Sequence, residues 1–231
     1  MTGGRTPTAH ERKAEPDATA NGAEPPWLTS DVRPRNPKTM HNPIEAFNAH
    51  WTRAVANSPL RQKSAVCVST IGENGFPNSR FVDLKVADDR GLVFCTYLDS
   101  AKGRDILCNP KVGLTVWWDH IGIQARFQGI CDRIANDEAD IHWHSRSRDA
   151  QLTTTTFRQS EPLSHPAALR ASLDEARLQH HGHEINRPTN WGGFRLSPVF
   201  IELLEFSEDR LHIRTCYLRA GEIWNVSYLQ P

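Results

Sequence analysis

Two arginines and a histidine occupy alternate positions near the C-terminal end of the sequence, as Arg210, His212 and Arg214. In an extended strand, alternate residues lie on one face, so these three side chains would point the same way. Cationic and proton-bearing groups on one face repel each other unless an anion lies over them. The spacing therefore predicts a pocket for a phosphate or carboxylate beside a proton-transfer group. The alternative is a solvated edge strand with basic side chains.

A second candidate anion site is Ser100-Ala-Lys-Gly-Arg104, which follows a strand-like segment and opens a predicted helix. The free N–H groups at a helix start, together with Lys102, would form a cradle for a phosphate. The alternative is an ordinary capped helix on which Lys102 and Arg104 are solvated. Further along, Arg146-Ser-Arg148-Asp149 is either an anion clamp or a helix C-terminus whose basic residues complement the helix dipole.

The histidine-rich segments do not predict a metal site. His142 and His144 would diverge on a helix, because residues two positions apart do not share a face. His180-His-Gly-His183 falls in a predicted loop without a neighbouring cysteine or paired carboxylate, so we expect no metal there. Thr153–Thr156 and the following Gln159-Ser160 are interpreted as a polar surface loop.

The composition argues against several classes of protein. The 231 residues include 27 basic and 27 acidic ones, and the pI is about 7.2, so we expect no binding to nucleic acid or to an anionic membrane. We expect no transmembrane helix and no secretory signal, because the apolar runs are too short. The five cysteines are widely spaced and form no C-x-x-C, which predicts reduced thiols in a cytoplasmic protein.

The N-terminal residues 1–40 are rich in Gly, Ala, Pro, Thr and charge, which predicts a disordered or extended arm before a single domain over residues 41–231. Asn42-Pro43-Ile44-Glu45 has the N-cap, first-turn proline and third-position acid of a helix start, and the helix should run for about 15 residues. Further helices are expected at Ser100–Cys108, from Asn136 onward and at Ser164–Gln179.

Short strand-like runs joined by tight turns dominate the rest of the chain. The predicted strands are Ser64–Ile71, Ser79–Val86, Leu92–Tyr97, Val112–Trp118, Ile123–Cys131, Val199–Phe206, Leu211–Tyr217 and Ile223–Leu229. Such a series favours antiparallel over parallel pairing. We therefore expect a mainly antiparallel β fold, as a sheet or barrel with flanking helices.

From about residue 42 to the end, these segments resemble the pyridoxine/pyridoxamine 5′-phosphate oxidase family, which binds flavin mononucleotide (FMN) on a split β-barrel and works as a homodimer. Ser79-Arg-Phe-Val-Asp-Leu-Lys85 is similar to the family's flavin strand, and Ser100-Ala-Lys102 to its phosphate motif with the arginine lost. Cys95 stands where the family usually has tyrosine, and Leu204 where it has tryptophan. The implied cofactor-binding residues are Arg80, Phe81, Val82, Leu84, Lys85, Cys95, Thr96, Ala101, Lys102, Gln124, Gln159, Ser160, Leu204 and Arg214.

The resemblance also implies a substrate site. Arg210 and His212 match an Arg-Leu-His motif over the substrate ring and would be the catalytic residues, orienting the substrate and assisting proton movement. Arg146 matches an arginine that holds the substrate phosphate, and Lys85 reaches the flavin and the substrate.

Several phosphate contacts of the family are missing. His142 and Ala150 stand where the family has a phosphate-binding tyrosine and serine, and its Arg-Arg-x-Tyr arm is absent from Pro25–His41. Each lost charge-assisted hydrogen bond is worth roughly 1.5–3 kcal/mol, so a vitamin B6 phosphate should bind weakly.

Two further blocks, Arg158-Gln-Ser-Glu161 and the terminal Tyr228–Pro231, resemble a specialised branch of the family, the flavin oxidases of phenazine biosynthesis. Lys85 and Trp191-Gly-Gly193 resemble the housekeeping enzymes instead. The favoured function is an FMN-dependent oxidase that moves a hydride from a small N-heterocyclic or dihydroaromatic substrate to FMN and then to O2. The alternatives are a housekeeping oxidase that makes pyridoxal 5′-phosphate and a non-catalytic protein that binds flavin or a B6 phosphate.

The implied homodimer would have its flavin sites at the interface. Trp117, Trp118 and Trp191 are large apolar side chains of the kind found in such interfaces, and we expect them to contribute.

Overall fold

The computed structural model describes residues 42–231, so the predicted N-terminal arm lies outside the described residues. Directly after Trp118, the residues Asp119–Ile121 form a short 3₁₀ turn. The described helices and strands, in chain order, are α1 (Pro43–Asn57), β1 (Ala65–Ile71), β2 (Pro77–Asp88), β3 (Gly91–Tyr97), α2 (Ala101–Cys108), β4 (Lys111–Trp118), β5 (Ile123–Arg133), α3 (Asn136–His144), α4 (Arg148–Thr156), α5 (Ala168–Gln179), β6 (Trp191–Glu205), β7 (Ile213–Ala220) and β8 (Ile223–Leu229).

The strands form one antiparallel sheet in the order β3-β2-β1-β4-β5-β6-β7-β8, and β3 also pairs with β6. That additional pairing closes β1 to β6 into a six-stranded barrel. The long strand β6 pairs with two strands in succession along one of its edges. Its first residues pair with β3, and Phe200–Glu205 pair with β7. The prediction of a mainly antiparallel barrel with flanking helices is confirmed.

Helix α1 covers part of the barrel core. The side chain of Asn42 accepts a hydrogen bond from the Ile44 N–H at 3.0 Å, so the predicted cap is confirmed. Phe47 is fully buried, with its ring centroid 5.4 Å from that of Trp118 and 4.9 Å from that of Phe127. Replacing such a phenylalanine with alanine typically costs about 3–5 kcal/mol. The helix is therefore fixed to the barrel by its apolar face.

Helix α2 lies tightly against the end of β3. Ser100 caps it by accepting a hydrogen bond from the Gly103 N–H at 3.3 Å. A Cβ atom on Gly103 would lie 2.2 Å from the carbonyl oxygen of Leu98, so only glycine permits this approach. The close contact fixes the position of the first turn of α2 against β3, and with it the position of Lys102.

Several element boundaries differ from the predictions. β6 begins at Trp191 and not at Val199, because its first residues pair with β3 across the closed barrel. Thr153–Thr156, predicted as a loop, form the last turn of α4, where the Thr153 and Thr156 hydroxyls donate to carbonyls four residues earlier. Helix α5 begins at Ala168, four residues after its predicted start.

A smaller apolar cluster joins the helices α3 to α5 to the barrel. Its buried members are Tyr97, Trp143, Leu152, Ala176, Ile185 and Trp191. Trp118 and Trp191 are only 5% and 2% exposed, so the prediction that they serve a dimer interface is wrong. Trp117 is 44% exposed and remains available for that role.

All five cysteines are free thiols in the structure; Cys131 and Cys216 are buried, whereas Cys108 is exposed. Within residues 42–231, no helix combines the length and apolarity that crossing a membrane requires.

Candidate active site

A cavity of about 350 Å³ opens between the barrel and the helical layer, and we call it the β2–β3 cavity. Its volume is in the range of small-molecule sites. Most of its lining residues were predicted as site residues from the sequence. The lining consists of Arg80, Phe81, Val82, Asp83, Cys95, Thr96, Tyr97, Lys102, Arg146, Thr154, Gln159 and Trp191.

Lys102 is a buried cation, 7% exposed, in this cavity. Its Nζ donates to Thr96 Oγ1 at 3.0 Å and Gln159 Oε1 at 2.7 Å, and lies 3.4 Å from Ser100 Oγ. These partners are neutral. Burial, followed by the nearby charge of Arg80, lowers the pKa of Lys102 to about 8. The alternative of a solvated lysine is therefore wrong, and an anion bound here would stabilise the charged form.

Arg80 enters the cavity from β2 and is held by a buried carboxylate. Its Nη1 donates to Thr70 Oγ1 at 2.7 Å, and its Nη2 lies 3.6 Å from Asp105 Oδ2. Asp105 is 8% exposed and also accepts hydrogen bonds from Thr70 at 2.6 Å and Asn78 at 3.2 Å. The Asp105 carboxylate therefore fixes the direction of the Arg80 guanidinium.

The loop after α4 contacts the start of α2. The backbone N–H of Ala101 donates to Ser160 Oγ at 3.2 Å, and Gln159 contacts Thr96 and Lys102. Ser160 has a φ of 75°, in the left-handed region that residues with a Cβ seldom adopt. A helix start, a strained loop and two cations thus converge, which suits one phosphate-sized anion.

Arg146 lines another part of the same cavity. Its Cζ lies 5.0 Å from the ring centroid of Trp191 and 5.8 Å from that of Trp143. Its Nη2 donates to the Ala150 carbonyl at 3.1 Å and to Thr154 Oγ1 at 2.9 Å. The buried Nε has no hydrogen-bond partner among the described residues, and burial lowers the pKa of Arg146. The two indole rings and these hydrogen bonds therefore hold the guanidinium in place, and its Nε–H remains unpaired within residues 42–231.

The groups near Arg146 include two that are neutral at neutral pH. Burial raises the pKa of the Cys95 thiol to about 12 and lowers the pKa of His142. The His142 Nε2 is buried and finds no partner in the described part of the chain. Lys85 forms an ion pair with Asp83 at 2.9 Å. Arg146 and Lys85 are the two cations whose charges act on Cys95.

Two other predicted residues have no side chain available for polar contact with a ligand. Leu84 is 3% exposed and packs in the barrel core, so a ligand could meet only its backbone. Ala150 offers its carbonyl, which already accepts from Arg146.

The remaining predicted residues lie at the opposite end of β6. Leu204 pairs with Gln124 on β5 and with Arg214 on β7, whereas Thr96 in the cavity pairs with Gly192. At a strand rise of about 3.3 Å per residue, the stretch from Gly192 to Leu204 spans about 40 Å. One chain thus holds the predicted site as two separated groups. We call the second group the C-terminal edge; it comprises Gln124, Leu204, Arg210, His212 and Arg214.

Arg214 is paired with a carboxylate before any ligand binds. Its Nε and Nη2 both lie 2.8 Å from Glu202 Oε1, and Arg126 Nη1 lies 3.5 Å from Glu202 Oε2. Glu202 is 2% exposed. The hydrogen bond that Arg214 donates to Glu202 raises the pKa of Arg214.

The prediction that Arg210, His212 and Arg214 share a strand face is wrong. β7 begins at Ile213, so Arg210 and His212 lie in the connection from β6. Arg210 has a φ of 65° and donates its N–H to the Ser207 carbonyl at 3.1 Å. The polar sequence before it forms this turn, and local turn chemistry overrides the alternation of basic residues.

Sequence reasoning missed several residues of the cavity. The Tyr97 hydroxyl lies 2.7 Å from the Thr154 carbonyl and 2.9 Å from that of Phe157, which ties β3 to the end of α4. Trp191, assigned to an interface, stacks under Arg146 instead. The Trp-Gly-Gly block was a usable signal for Trp191, but nothing in the sequence distinguishes Asp105 from a surface acid.

A larger depression of about 650 Å³ lies between α4, α5 and residues 181–184. Its cations already have partners: Arg177 pairs with Asp149 at 3.2 Å, and Arg148 donates to the carbonyls of His180 and His183. No group of three or more His, Cys, Asp or Glu within residues 42–231 could hold a metal ion. The β2–β3 cavity is therefore the better candidate site.

Comparison with known families agrees with this geometry. Residues 53–180 match the family described as Pyridoxamine 5′-phosphate oxidase, and residues 191–231 match the Pyridoxine 5′-phosphate oxidase C-terminal dimerisation region. The pyridoxine/pyridoxamine 5′-phosphate oxidase of Thermosynechococcus vestitus is 38% identical over 190 residues, which cover 82% of this chain and 89% of that protein. The corresponding oxidase of Anaeromyxobacter dehalogenans is 37% identical, covering 86% of this chain and 100% of that protein.

Solved structures show the same fold. PhzG from Burkholderia lata, in complex with tetrahydrophenazine-1-carboxylic acid, is 30% identical with a TM-score of 0.76, covering 87% of this chain and 98% of that chain. A pyridoxamine 5′-phosphate oxidase-related, FMN-binding protein from Nostoc punctiforme has a TM-score of 0.66 at 20% identity, covering 84% of this chain and 100% of that chain. The second likeness concerns the fold alone.

Proposed function

The chain belongs to the pyridoxamine 5′-phosphate oxidase family, and within it we propose an FMN-dependent oxidase that works as a homodimer. The observation that carries the proposal is the pair of cations Arg80 and Lys102 in one cavity. Lys102 has only neutral hydrogen-bond partners among the described residues. Such a site gains most from a ligand that brings its own negative charge.

The residues present fit the phosphate of FMN. A phosphate dianion would supply the charge that Lys102 lacks and would meet the start of α2. Two cations suit one monophosphate, and the sequence has no G-x-G-x-x-G for a pyrophosphate, so we propose FMN and not FAD. Arg80, Lys102 and Gln159 would hold this end of the cofactor. When bound, FMN supplies a ring that accepts a hydride and reacts with O2.

We propose that the C-terminal edge of a second copy completes the site. This edge lies at the other end of β6 from the cavity, and it belongs to the region that matches a dimerisation region. Exposed apolar side chains surround it: Phe206 46%, Leu211 68%, Ile213 55% and Tyr228 73%. In a two-fold dimer, each edge would meet the partner's cavity, which gives two equal sites.

In this arrangement, Gln124, Leu204 and Arg214 would contact the flavin. Arg210 and His212 would lie over the substrate ring, orient it and assist proton movement. Cys95 would not form a covalent bond, because its thiol, with a pKa of about 12, is protonated at neutral pH.

For the substrate, we propose an N-heterocyclic or dihydroaromatic carboxylate. Lys85 and Arg146 would hold its anionic group, while neutral His142 and Ala150 add no charge. A carboxylate carries one negative charge where a phosphate carries close to two, so it needs fewer partners. PhzG, 30% identical to this chain, was solved with such a carboxylate, which supports the choice.

The housekeeping reaction, oxidation of pyridoxine or pyridoxamine 5′-phosphate, is the second candidate. The relatives at 38% and 37% identity carry that name, and this chain keeps Lys85 and Trp191 beside the cavity. A non-catalytic flavin-binding protein is the candidate from another class.

Oxygen uptake by the purified protein separates these candidates. We expect mass spectrometry to identify released FMN and a dihydrophenazine carboxylate to drive oxygen uptake. Pyridoxamine 5′-phosphate should give a kcat/KM well below about 10⁴ M⁻¹s⁻¹, the lower end of the ordinary range. A kcat/KM of about 10⁴ M⁻¹s⁻¹ or more for pyridoxamine 5′-phosphate would favour the housekeeping enzyme. A flavin-containing protein that consumes oxygen with neither compound would favour the non-catalytic binder.

A paired variant sharpens this test. His142→Tyr with Ala150→Ser should raise kcat/KM for pyridoxamine 5′-phosphate, because both changes add hydroxyl donors beside Arg146. His144→Tyr, an exposed change on the same helix, is the matched control and should leave it unaltered. No gain in the paired variant would show that these two positions do not limit phosphate binding.

A further inference from the structure

The turn between β6 and β7 orders the backbone that carries Arg210 and His212. The Ser207 N–H donates to His212 Nδ1 at 3.1 Å. Asp209 Oδ1 accepts from the Leu211 N–H at 2.9 Å and from the Ser207 hydroxyl. The Arg210 N–H donates to the Ser207 carbonyl at 3.1 Å, which closes the turn.

The first of these hydrogen bonds determines which ring nitrogen of His212 carries the proton. A backbone amide can only donate, so Nδ1 must be the acceptor and bears no proton. The neutral ring therefore carries its proton on Nε2. A proton on Nδ1 would place two N–H groups against each other.

The His212 ring also packs against an aromatic side chain. The ring centroids of His212 and Phe206 are 4.5 Å apart, and those of Phe206 and Trp117 are 4.6 Å apart. The Phe206 N–H donates to the Gly122 carbonyl at 2.8 Å, which ties this stack to the barrel. The orientation of His212 is thus set by one hydrogen bond and one aromatic contact.

Asp209 stabilises a backbone that would otherwise be unfavourable. Arg210 lies in the left-handed region with a φ of 65°, where a residue with a Cβ is strained. The Asp209 carboxylate accepts one hydrogen bond from Ser207, which precedes Arg210, and one from Leu211, which follows it. Its carboxylate therefore holds both arms of the turn.

We infer that Asp209 is a positioning residue, which holds the turn so that neutral His212 presents Nε2–H to the substrate as a hydrogen-bond donor. This inference rests on the proposed function, in which Arg210 and His212 of one copy reach the cavity of the other. An Nε2–H donor fits an acceptor on the substrate, such as a carboxylate oxygen or an unprotonated ring nitrogen. It cannot take a proton from the substrate until it has released its own.

Nitrogen NMR of the ¹⁵N-labelled full-length protein tests the tautomer without any substrate. The spectra are recorded at alkaline pH. Comparison with His212→Gln assigns the signals. We expect a protonated Nε2 and an unprotonated Nδ1. A protonated Nδ1, or rapid averaging between the two forms, would overturn the inference even if the protein is an active oxidase.

Three variants test the role of Asp209. Asp209→Asn keeps an oxygen acceptor, so we expect the Nε2–H signature and a kcat/KM within about twofold of the unmodified protein. Asp209→Ala should give mixed His212 tautomers and about a tenfold lower kcat/KM at unchanged FMN content. A tenfold decrease corresponds to the loss of one hydrogen bond, here the bond from Nε2–H to the substrate. Glu208→Ala, an exposed neighbour, should change neither.

These outcomes distinguish the inference from the proposed function. If none of the compounds is oxidised, the tautomer populations of the three variants still decide the role of Asp209. An Asp209→Ala variant that keeps the Nε2–H form, or that loses turnover without any change of tautomer, would contradict a positioning role.

Discussion

Lys102 in the β2–β3 cavity and Arg214 on the C-terminal edge are both cations of the candidate site, but their partners differ. Lys102 donates to neutral oxygens, and burial with the charge of Arg80 lowers its pKa to about 8. Arg214 is paired with the buried carboxylate of Glu202, and its pKa is raised. Lys102 therefore gains from an anionic ligand, whereas Arg214 already has a carboxylate partner. We interpret the cavity as the anion-binding half of the site and the edge as a preformed wall.

The largest expected effect comes from removing Arg80 and Lys102, the two cavity cations assigned to the phosphate. Arg80→Ala with Lys102→Ala should weaken FMN binding about 100- to 10,000-fold, because each charge-assisted contact is worth roughly 1.5–3 kcal/mol. A fluorescence titration of FMN measures the change. Arg104→Ala is the control, since Arg104 is exposed on the same helix. Unchanged FMN affinity in the double variant would remove the basis for the phosphate assignment.

Removing the edge side chains that we propose to face the substrate should have the reverse pattern. We expect Arg210→Ala or His212→Ala to lower turnover about 10- to 100-fold while FMN content stays nearly intact, because each removes a polar contact to the substrate. Flavin content and oxygen uptake, measured on the same samples, give turnover per bound flavin. Loss of flavin at unchanged turnover per flavin would show that the two halves are assigned the wrong way round.

Breaking the ion pair of the edge should affect folding more than cofactor chemistry. Glu202→Gln leaves Arg126 and Arg214 without their carboxylate, and should lower the free energy of unfolding by about 2 kcal/mol. Denaturant unfolding of the apoprotein measures it. Glu205→Gln, an exposed position on the same strand, serves as the control. Equal stabilities of the two variants would contradict the view that Glu202 holds Arg214 before ligand binding.

The smallest expected effect is a pH dependence confined to the cavity. The pKa of Lys102 falls from 10.5 to about 8 on folding, so the folded apoprotein loses this proton at a lower pH than the unfolded chain does. The free energy of unfolding of the apoprotein should therefore rise with pH between these two pKa values. A phosphate favours the protonated lysine, so FMN affinity should fall as pH rises above about 8, by at most about tenfold per unit. Titrations at several pH values measure this slope. Lys102→Ala should abolish it; a slope that persists would assign the titration to another group.

The sequence predicted those parts of the fold that local patterns determine. The cap at Asn42, the capped start of α2 and the short antiparallel strands all follow from nearby residues. The first half of β6 and the helix α4 were missed, because one depends on pairing with the distant β3 and the other on threonine hydroxyls that bond within the helix. Closure of a barrel is not visible in a local window of sequence.

The candidate site shows the same division. Arg80, Lys102 and Gln159 were found through motifs, and the structure brings them together around one cavity. The alternation of Arg210, His212 and Arg214 predicted a strand face that does not exist, because Ser207 and Asp209 form a turn instead. Asp105 and Glu202 escaped notice, since their importance depends on burial and on partners distant in sequence.

The central claim, that each site combines the cavity of one copy with the edge of the other, is tested most directly with mixed dimers. One chain carries Lys102→Ala and the other Arg210→Ala, and two different affinity tags isolate the dimers that contain both. If the site is shared, each mixed dimer has one intact site and should show about half of the unmodified turnover, although each variant alone is nearly inactive. Mixed dimers no more active than the separate variants would contradict a shared site.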